Sequence, residues 1–525
     1  MNEFISKFRD QLSGVISGFD RLVFRGNLAL NYEAGMKGYL YAKGIAWKDY
    51  AKHVAEISPR VKQACLAPLE NCHRPIRYLS GVKESKEQMA RAIAQADGIT
   101  SGPVCGFTAV EPCLSWRVGG NRASRKLELK RSLRQCLFVY HYWMDEVFGF
   151  MSARVQTWFP FAFYVYMNGR EWLARQLDRE GIAYQRQDNC FPWIADFERA
   201  QALMDEQLKT DWTGALDGCV SRAHPLFEQL CAGYPMRYYW TAFQSEWAMD
   251  LVFRDPEQLR HLYPQLVHLG MTCFSSPDVM RFLGQKVRRD GEPCAGFNQP
   301  VVSDVKVRRE GVRIKHRLGA NSLKLYDKAY TSLGAVLRPE ITLNDPEQFR
   351  VFRPKTGDEQ GPLEWRPLRA GVADLHRRAE VSEQALDRYC TALASVDDTA
   401  TLRELTQSIE KPVRWKGRKL RALHPFEAGD LELLTAVNRG EFAINGLRNR
   451  DLQALLYPTP AGSQQERRRR SAAISRKLRL LRAHGILRKL PHTHRYQVTG
   501  RGRLILNAVR SAQLATSQQL ASLAA

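Results

Sequence analysis

The sequence predicts an α+β, multidomain protein: a mixed α/β N-terminal region, a strand-rich central block, and a C-terminal module of three helices closed by a hairpin. Three observations lead there. The chain has 525 residues, and at roughly 100–200 residues per domain that is room for three or four domains. Hydrophobic residues make up 44% and charged residues 25%, enough apolar material for packed cores. The hydrophobic pattern also changes along the chain. Short strands with capped helices give way to alternating strands over 296–354, then to helical spacing beyond about 430.

Residues 1–118 read as a mixed α/β domain. GVISGFDRLVFRG (14–26) is rich in branched and aromatic residues and reads as a strand. SKEQMARAIAQADG (85–98) starts on Ser, carries an early Glu and closes on Gly, which are the signals of a capped helix. The apolar run PVCGFTAVEP (103–112) reads as a buried strand, and strand, helix, strand suggests a βαβ-like unit.

Residues 119–295 form an aromatic-rich, mostly helical region with a basic hairpin. WRVGGNRASRKLELKR (116–131) turns at Gly119-Gly120-Asn121 and carries Arg122, Arg125 and Lys126 near its tip. The stretch 136–177 is unusually aromatic. It reads either as hydrophobic core or as stacking platforms for bases beside the basic hairpin. NGREWLARQLDREG (168–181) has an Asn start and a Gly stop, so it is a helix. Within 236–256, Glu246 and Asp250 share one face if the segment is helical.

Residues 296–400 form a strand-rich, palm-like block followed by a helix, and 401–429 read as a basic linker with Lys416, Arg418 and Lys419. In 430–525, helices over 430–442, 444–458 and 466–485 precede two short strands (486–498) and a last helix. The third helix is apolar along Ala473, Ile474, Leu478, Leu481 and Ala483. Its other side presents Arg468, Arg469, Arg476, Arg479 and Arg482, and Lys489, His492, His494 and Arg495 lie on the hairpin. A helix packed by one face and basic on the other suits a DNA major groove. The phrase LRLLRAHGILRKLPHTHRYQVTGRGR resembles winged-helix DNA-binding modules, and this likeness over about 70 residues implies a nucleic-acid-binding winged helix. The alternatives are RNA-binding or protein-binding use of the same fold.

The formal net charge is +23. Such an excess repels itself, and a polyanion relieves that repulsion. DNA is the first expectation and RNA the second. No segment reaches the ~18 consecutive apolar residues of a membrane span, and MNEFISKFRDQLSGVI lacks a signal-peptide core. The expectations are a cytoplasmic location and no membrane partner. The 11 cysteines contain no CxxC and read as reduced, mostly buried thiols. Walker A, GxGxxG, GxSxG and HExxH are all missing, so no nucleotide, flavin or NAD cofactor is expected.

Two carboxylate sets could serve phosphodiester chemistry, which needs acids to hold Mg²⁺ or Mn²⁺ and a nucleophile. In KHRLGANSLKLYDKAYTSLGAVLRPEITLNDP (315–346), Tyr326, Asp327 and Lys328 precede Glu340. The Ser…Tyr-Asp-Lys strand followed by Arg-x-Glu resembles rolling-circle replication initiators. That resemblance implies a nickase in which Asp327 and Glu340 hold the metal, Tyr326 attacks and Lys328 steadies the phosphorane. Pro339 between Arg338 and Glu340 points to an edge strand or a bend, and Asp304, Glu246, Asp250 and Tyr330 are further candidates. The second set is Asp20 in GFDRLVFRG with Glu111 in FTAVEP, which resembles the RNase H-like layout of many transposases.

SGFDRLVFRG, FGFMSARVQTWFPF, QSEWAMDLVFRD and RIKHRLGANSLKLYDK are also similar to an uncharacterised bacterial family that resembles mobile-element cargo. The functional expectation is a mobile-element or replicon DNA-processing protein, a metal-dependent endonuclease or nickase targeted by its winged helix. A non-enzymatic DNA-binding regulator or structured-RNA-binding protein is the alternative.

Overall fold

The computed structural model describes residues 2–516 apart from 82–84, 122–124, 273, 275, 286–299, 309–310, 359, 395, 397–400, 440–441, 443–445 and 491–492. Arg122 and His492 therefore lie outside the described residues.

Helix α1 (Glu3–Phe8) leads into the long strand β1 (Leu12–Asn27). Then come α2 (Glu33–Ala42), α3 (Tyr50–Asn71), β2 (Ile76–Tyr78) and α4 (Lys86–Ala96). A long hairpin follows, β3 (Gly102–Asn121) and β4 (Lys126–Asp145), then β5 (Gly149–Gln156), β6 (Phe163–Asn168) and α5 (Gly169–Glu180). A small hairpin, β7 (Tyr184–Gln187) and β8 (Cys190–Ile194), precedes α6 (Phe197–Gln207), α7 (Trp212–Ala223) and α8 (Phe227–Cys231). Strand β9 (Tyr239–Phe253) is followed by α9 (Pro256–Thr272) and α10 (Ser276–Phe282). The predicted strand block comprises β10 (Val301–Arg308), β11 (Gly311–Leu318), β12 (Asn321–Thr331) and β13 (Gly334–Leu343). Next are β14 (Arg350–Arg353), β15 (Glu364–Pro367), α11 (Leu375–Leu393) and α12 (Leu402–Gln407). The C-terminal part holds β16 (Val413–Trp415), β17 (Arg418–Leu420), α13 (Ala428–Val437), α14 (Asn449–Leu456), α15 (Gln464–Ala483), β18 (Leu487–Lys489), β19 (Tyr496–Val498) and α16 (Gly500–Leu514).

The protein is α+β with a large mixed sheet, ordered β10-β11-β12-β13-β9-β1-β6-β5-β4-β3-β2. The chain divides into two compact units. One comprises Met1–Ser13, Leu251–Ile341 and Gln384–Ala525, the other Gly14–Asp250 and Thr342–Glu383. Among the described residues no helix is long and apolar enough to cross a membrane.

In the second unit β1, β6, β5, β4 and β3 run antiparallel in turn, and β2 pairs parallel with β3 across the helix α4. The βαβ-like unit is therefore β2–α4–β3, not one begun by β1, which lies four places from β3 in the sheet order. Ser85 caps α4 by accepting from the Gln88 amide, as its sequence foretells. Within 236–256, Tyr239–Phe253 form strand β9, not helix. A spacing of four serves both periods, so Glu246 and Asp250 still share a face in the strand. The aromatics of 136–177 are mostly core: Phe138, Trp143, Phe150, Phe159, Phe161 and Phe163 are all buried. They belong to interior strands and their connection, so they provide no stacking platform.

In the first unit, residues 401–429 do not form a linker. Ile409 and Leu423 are fully buried in one core with Leu433, Leu452, Ile474, Leu478, Leu481 and Val498. The basic stretch folds into the β16–β17 hairpin. Pro339 also departs from expectation, because β13 has a neighbour on each side and is no edge. Burial of all ten β13 residues outweighs the one ladder donor that proline removes.

Candidate metal centre and nucleic-acid interface

Asp20 lies on β1 and is nearly inaccessible. Its carboxylate accepts from Asn168 Nδ2 (3.2 Å) and from Asn189 Nδ2 (2.7 Å). The first donor is held in place by a cap. Asn168 Oδ1 accepts the amides of Arg170 and Glu171 at the start of α5, which leaves the Asn168 NH₂ for Asp20. Gly169 permits this approach, since a Cβ there would lie 1.8 Å from the Phe19 carbonyl oxygen.

The acidic neighbour of Asp20 is Glu246 on β9, with a carboxylate oxygen of each within 4.8 Å of the other. Thr342 Oγ1 donates to Glu246 Oε1 (3.3 Å). Glu340 lies on β13, two residues before Thr342 and on the same side of the strand. Hard oxygen donors gathered in a buried place suit Mg²⁺ or Mn²⁺. Clustered buried carboxylates repel one another, and a divalent cation would relieve that repulsion.

The pairing of Asp20 with Glu111 is not formed. Glu111 sits on β3, four places from β1 in the sheet order. It accepts from Tyr140 Oη (2.5 Å) and Lys86 Nζ (3.0 Å) and pairs with Arg154 (2.7 Å). Burial raises its pKa, but these hydrogen bonds and charges outweigh burial and hold it below the usual carboxylate range. That is a structural cage. Asp250 is likewise committed, in a fully buried pair with Arg170 (3.1 Å).

The nickase-like constellation is dispersed. Glu340 Oε1 is 2.6 Å from Lys324 Nζ, so β12 turns Lys324 toward Glu340. Asp327, three residues on, falls on the opposite face by strand alternation. There it accepts from Tyr330 Oη (3.1 Å), and burial raises its pKa. Asp327 and Glu340 are thus not brought to one metal. Tyr326 is only 9% exposed, with Lys328 Nζ 4.7 Å above its ring, so its hydroxyl is poorly placed to meet a polymer backbone. Asp304 pairs with Lys306 and Arg313.

The C-terminal helices and hairpin have the element order of a winged helix. Ser463 caps α15, and Ile474, Leu478 and Leu481 bury one side of it. Asn449 of α14 ties the helix down through Ser471 O (2.8 Å) and Ser475 Oγ (2.9 Å). The wing strands pair from Leu487–Val498 to Lys489–Tyr496. Leu447 adds a bridge to Tyr496. Gly446 before it has φ +64°, and a Cβ would lie 2.4 Å from the Tyr496 carbonyl oxygen.

On the open side of α15, Arg468, Arg469, Arg476 and Arg479 are exposed, and Lys489 is exposed on the wing. Arg495 is half-buried. Arg482 departs from expectation: it stacks over Trp415 (5.0 Å) and near Tyr496 (5.9 Å), so it packs the β16–β17 hairpin against the helix. Lys416, Arg418 and Lys419 are exposed on that hairpin. Arg125 and Lys126 are exposed at the tip of the β3–β4 hairpin.

No family model matches the chain, and no curated protein does. Among solved structures, the di-domain aromatase/cyclase BexL from the BE-7585A biosynthetic pathway shows 11% identity and a TM-score of 0.15. That likeness covers 53% of this chain and 77% of BexL. At that score it bears on neither fold nor function.

Proposed function

We propose that the chain binds DNA through its C-terminal winged helix and cuts it by metal-dependent phosphodiester hydrolysis or nicking, in the manner of a mobile-element or replicon protein. The observation that carries the binding half is the row of exposed Arg468, Arg469, Arg476 and Arg479 on the unpacked side of α15. Four guanidinium groups at helical spacing, with Lys489 on the wing, match a duplex phosphate array and the major-groove edges between.

The chemical half rests on the carboxylates of Asp20 and Glu246. Mg²⁺ or Mn²⁺ bound there would activate water and neutralise charge on a phosphate oxygen. The protein's own part is to hold the donors. Asn168 and Asn189 fix the Asp20 carboxylate, and Thr342 fixes that of Glu246.

One observation favours a second reading, a DNA- or RNA-binding regulator without catalysis. Asp20 is already satisfied by two amide donors, as a purely structural carboxylate would be.

Fluorescence anisotropy with a labelled duplex across a salt series tests the binding half. Arg476→Ala with Arg479→Ala should weaken binding and flatten the dependence of log K on log[salt] by up to about 2, at ~0.9 per lost phosphate contact. Unchanged affinity and slope would refute the placement. Calorimetric titration of Mn²⁺ into wild type, Asp20→Asn and Glu246→Gln tests the metal half.

A further inference from the structure

The β14–β15 hairpin carries an aromatic pair that serves no core. Phe352 is 53% exposed and Trp365 is 69% exposed. They are direct cross-strand partners, with ring centroids 5.6 Å apart and planes inclined by 51°. The other side of the hairpin is anchored. Val351 and Arg353 are buried, and Arg353 Nη2 donates to Pro367 O (2.9 Å) while its Nη1 donates to Pro354 O (3.0 Å). The two rings thus stand on a fixed two-stranded base.

Large aromatic groups rarely face water together on a protein without a partner. The charges beside this pair include the cations Arg350 and Lys355 and one acid, Glu364. Arg350 lies two residues before Phe352 and is exposed, as is Lys355 beyond the strand. Arg366 is paired with Glu364 (2.6 Å). Open π-faces flanked by free cations are what single-strand binders use, because every base offers a ring and every linkage a phosphate. A duplex hides its base faces in the stack.

We propose that Phe352 and Trp365 form a stacking site for unpaired bases of single-stranded nucleic acid, with Arg350 and Lys355 engaging the adjacent phosphates. This rests on the nucleic-acid reading above and adds a substrate form to it: a strand that is unpaired before or after processing. The surface is distinct from α15 and its wing, which suit duplex.

The test uses the full chain and labelled oligonucleotides of equal length, one single-stranded and one duplex, read by anisotropy. Wild type is compared with Trp365→Ala, Phe352→Ser and Trp365→Phe. At 1–3 kcal/mol per stacked base, Trp365→Ala and Phe352→Ser should each weaken single-strand binding roughly 5- to 150-fold. Duplex affinity should stay within about twofold, and Trp365→Phe, which keeps a ring, should retain most single-strand binding. Single-strand binding unchanged in both truncation variants overturns the stacking site and leaves duplex recognition standing, which would turn attention to a protein partner. Equal loss on both substrates overturns it as well. A wild type that binds neither substrate overturns the nucleic-acid reading and this inference with it.

Discussion

Acidification should unfold the second unit through two buried histidines. His141 and His224 are almost completely buried, and burial lowers each pKa from 6.5 to about 4. His141 lies beside the Cys65 backbone, whose hydrogen bond offsets burial in part, and charge on His141 disfavours charge on His224. His224 sits between Phe161 and Phe227, at 6.3 and 5.7 Å between ring centroids. Neither of its ring nitrogens has a hydrogen-bond partner among the described residues. The native state therefore binds fewer protons than the unfolded chain. Stability is full above about pH 6.5, falls as the pH drops, and levels off near the folded pKa of about 4. A displacement of about 2.5 units is worth about 3 kcal/mol per histidine at full effect, a large share of a typical domain's stability. Urea unfolding from pH 7.5 to 4.5 measures it, comparing wild type with the double variant His141→Phe, His224→Phe. Carboxylates titrate in both proteins, so the difference between the two curves isolates the histidines. The double variant should lose several kcal/mol less between pH 6.5 and 4.5. Identical slopes would refute the reasoning.

Leu478→Ala removes a side chain from the centre of the winged-helix core and should cost about 2–5 kcal/mol, read as a lowered melting transition. Lys324→Met removes the ammonium that pairs with the buried Glu340 carboxylate, so it should destabilise by up to about 3–5 kcal/mol. Lys324→Met with Glu340→Met should recover much of that loss in a double-mutant cycle. Arg421 pairs bidentately with Asp430 (2.6 Å to each oxygen) and holds that carboxyl below its ordinary pKa. Arg421 is more than half exposed. The pair should therefore give only a modest gain, present at neutral pH and lost as pH falls through the lowered Asp430 pKa, seen as a small Tm difference between wild type and Arg421→Ala that disappears in acid.

Much of the fold can be read locally. Asn168 and Gly181 bracket α5, Ser85 opens α4, and the basic and apolar sides of α15 alternate at helical spacing. These features depend on neighbours in sequence. Long-range pairing does not. Nothing local distinguishes β9 from a helix when Glu246 and Asp250 stand four apart, and only the strands beside it decide. The same limit governs the site. Asp20 and Glu246 each stand out as candidate acids, but their association depends on β9 lying beside β1, a pairing of two distant segments. Glu111 looked equivalent to Asp20, and Asp327 looked like the partner of Glu340. Lys86, Arg154 and Tyr140 occupy the first, and strand alternation turns the second away. The Phe352–Trp365 pair did leave a signal, two short aromatic strands beside FRVFRP and EWRP. It needed the register of β14 and β15 to show that both rings share one open face.

The most direct measurement is cleavage of supercoiled plasmid and of single strands by the purified full chain with Mg²⁺ or Mn²⁺, for wild type, Asp20→Asn, Glu246→Gln and Asp327→Asn. The account predicts metal-dependent nicking or cutting by wild type, abolished by chelation and by Asp20→Asn and Glu246→Gln. Asp327→Asn should cleave at close to the wild-type rate. Cleavage that persists in Asp20→Asn and Glu246→Gln, or a wild type that cuts no substrate with either metal, would contradict it.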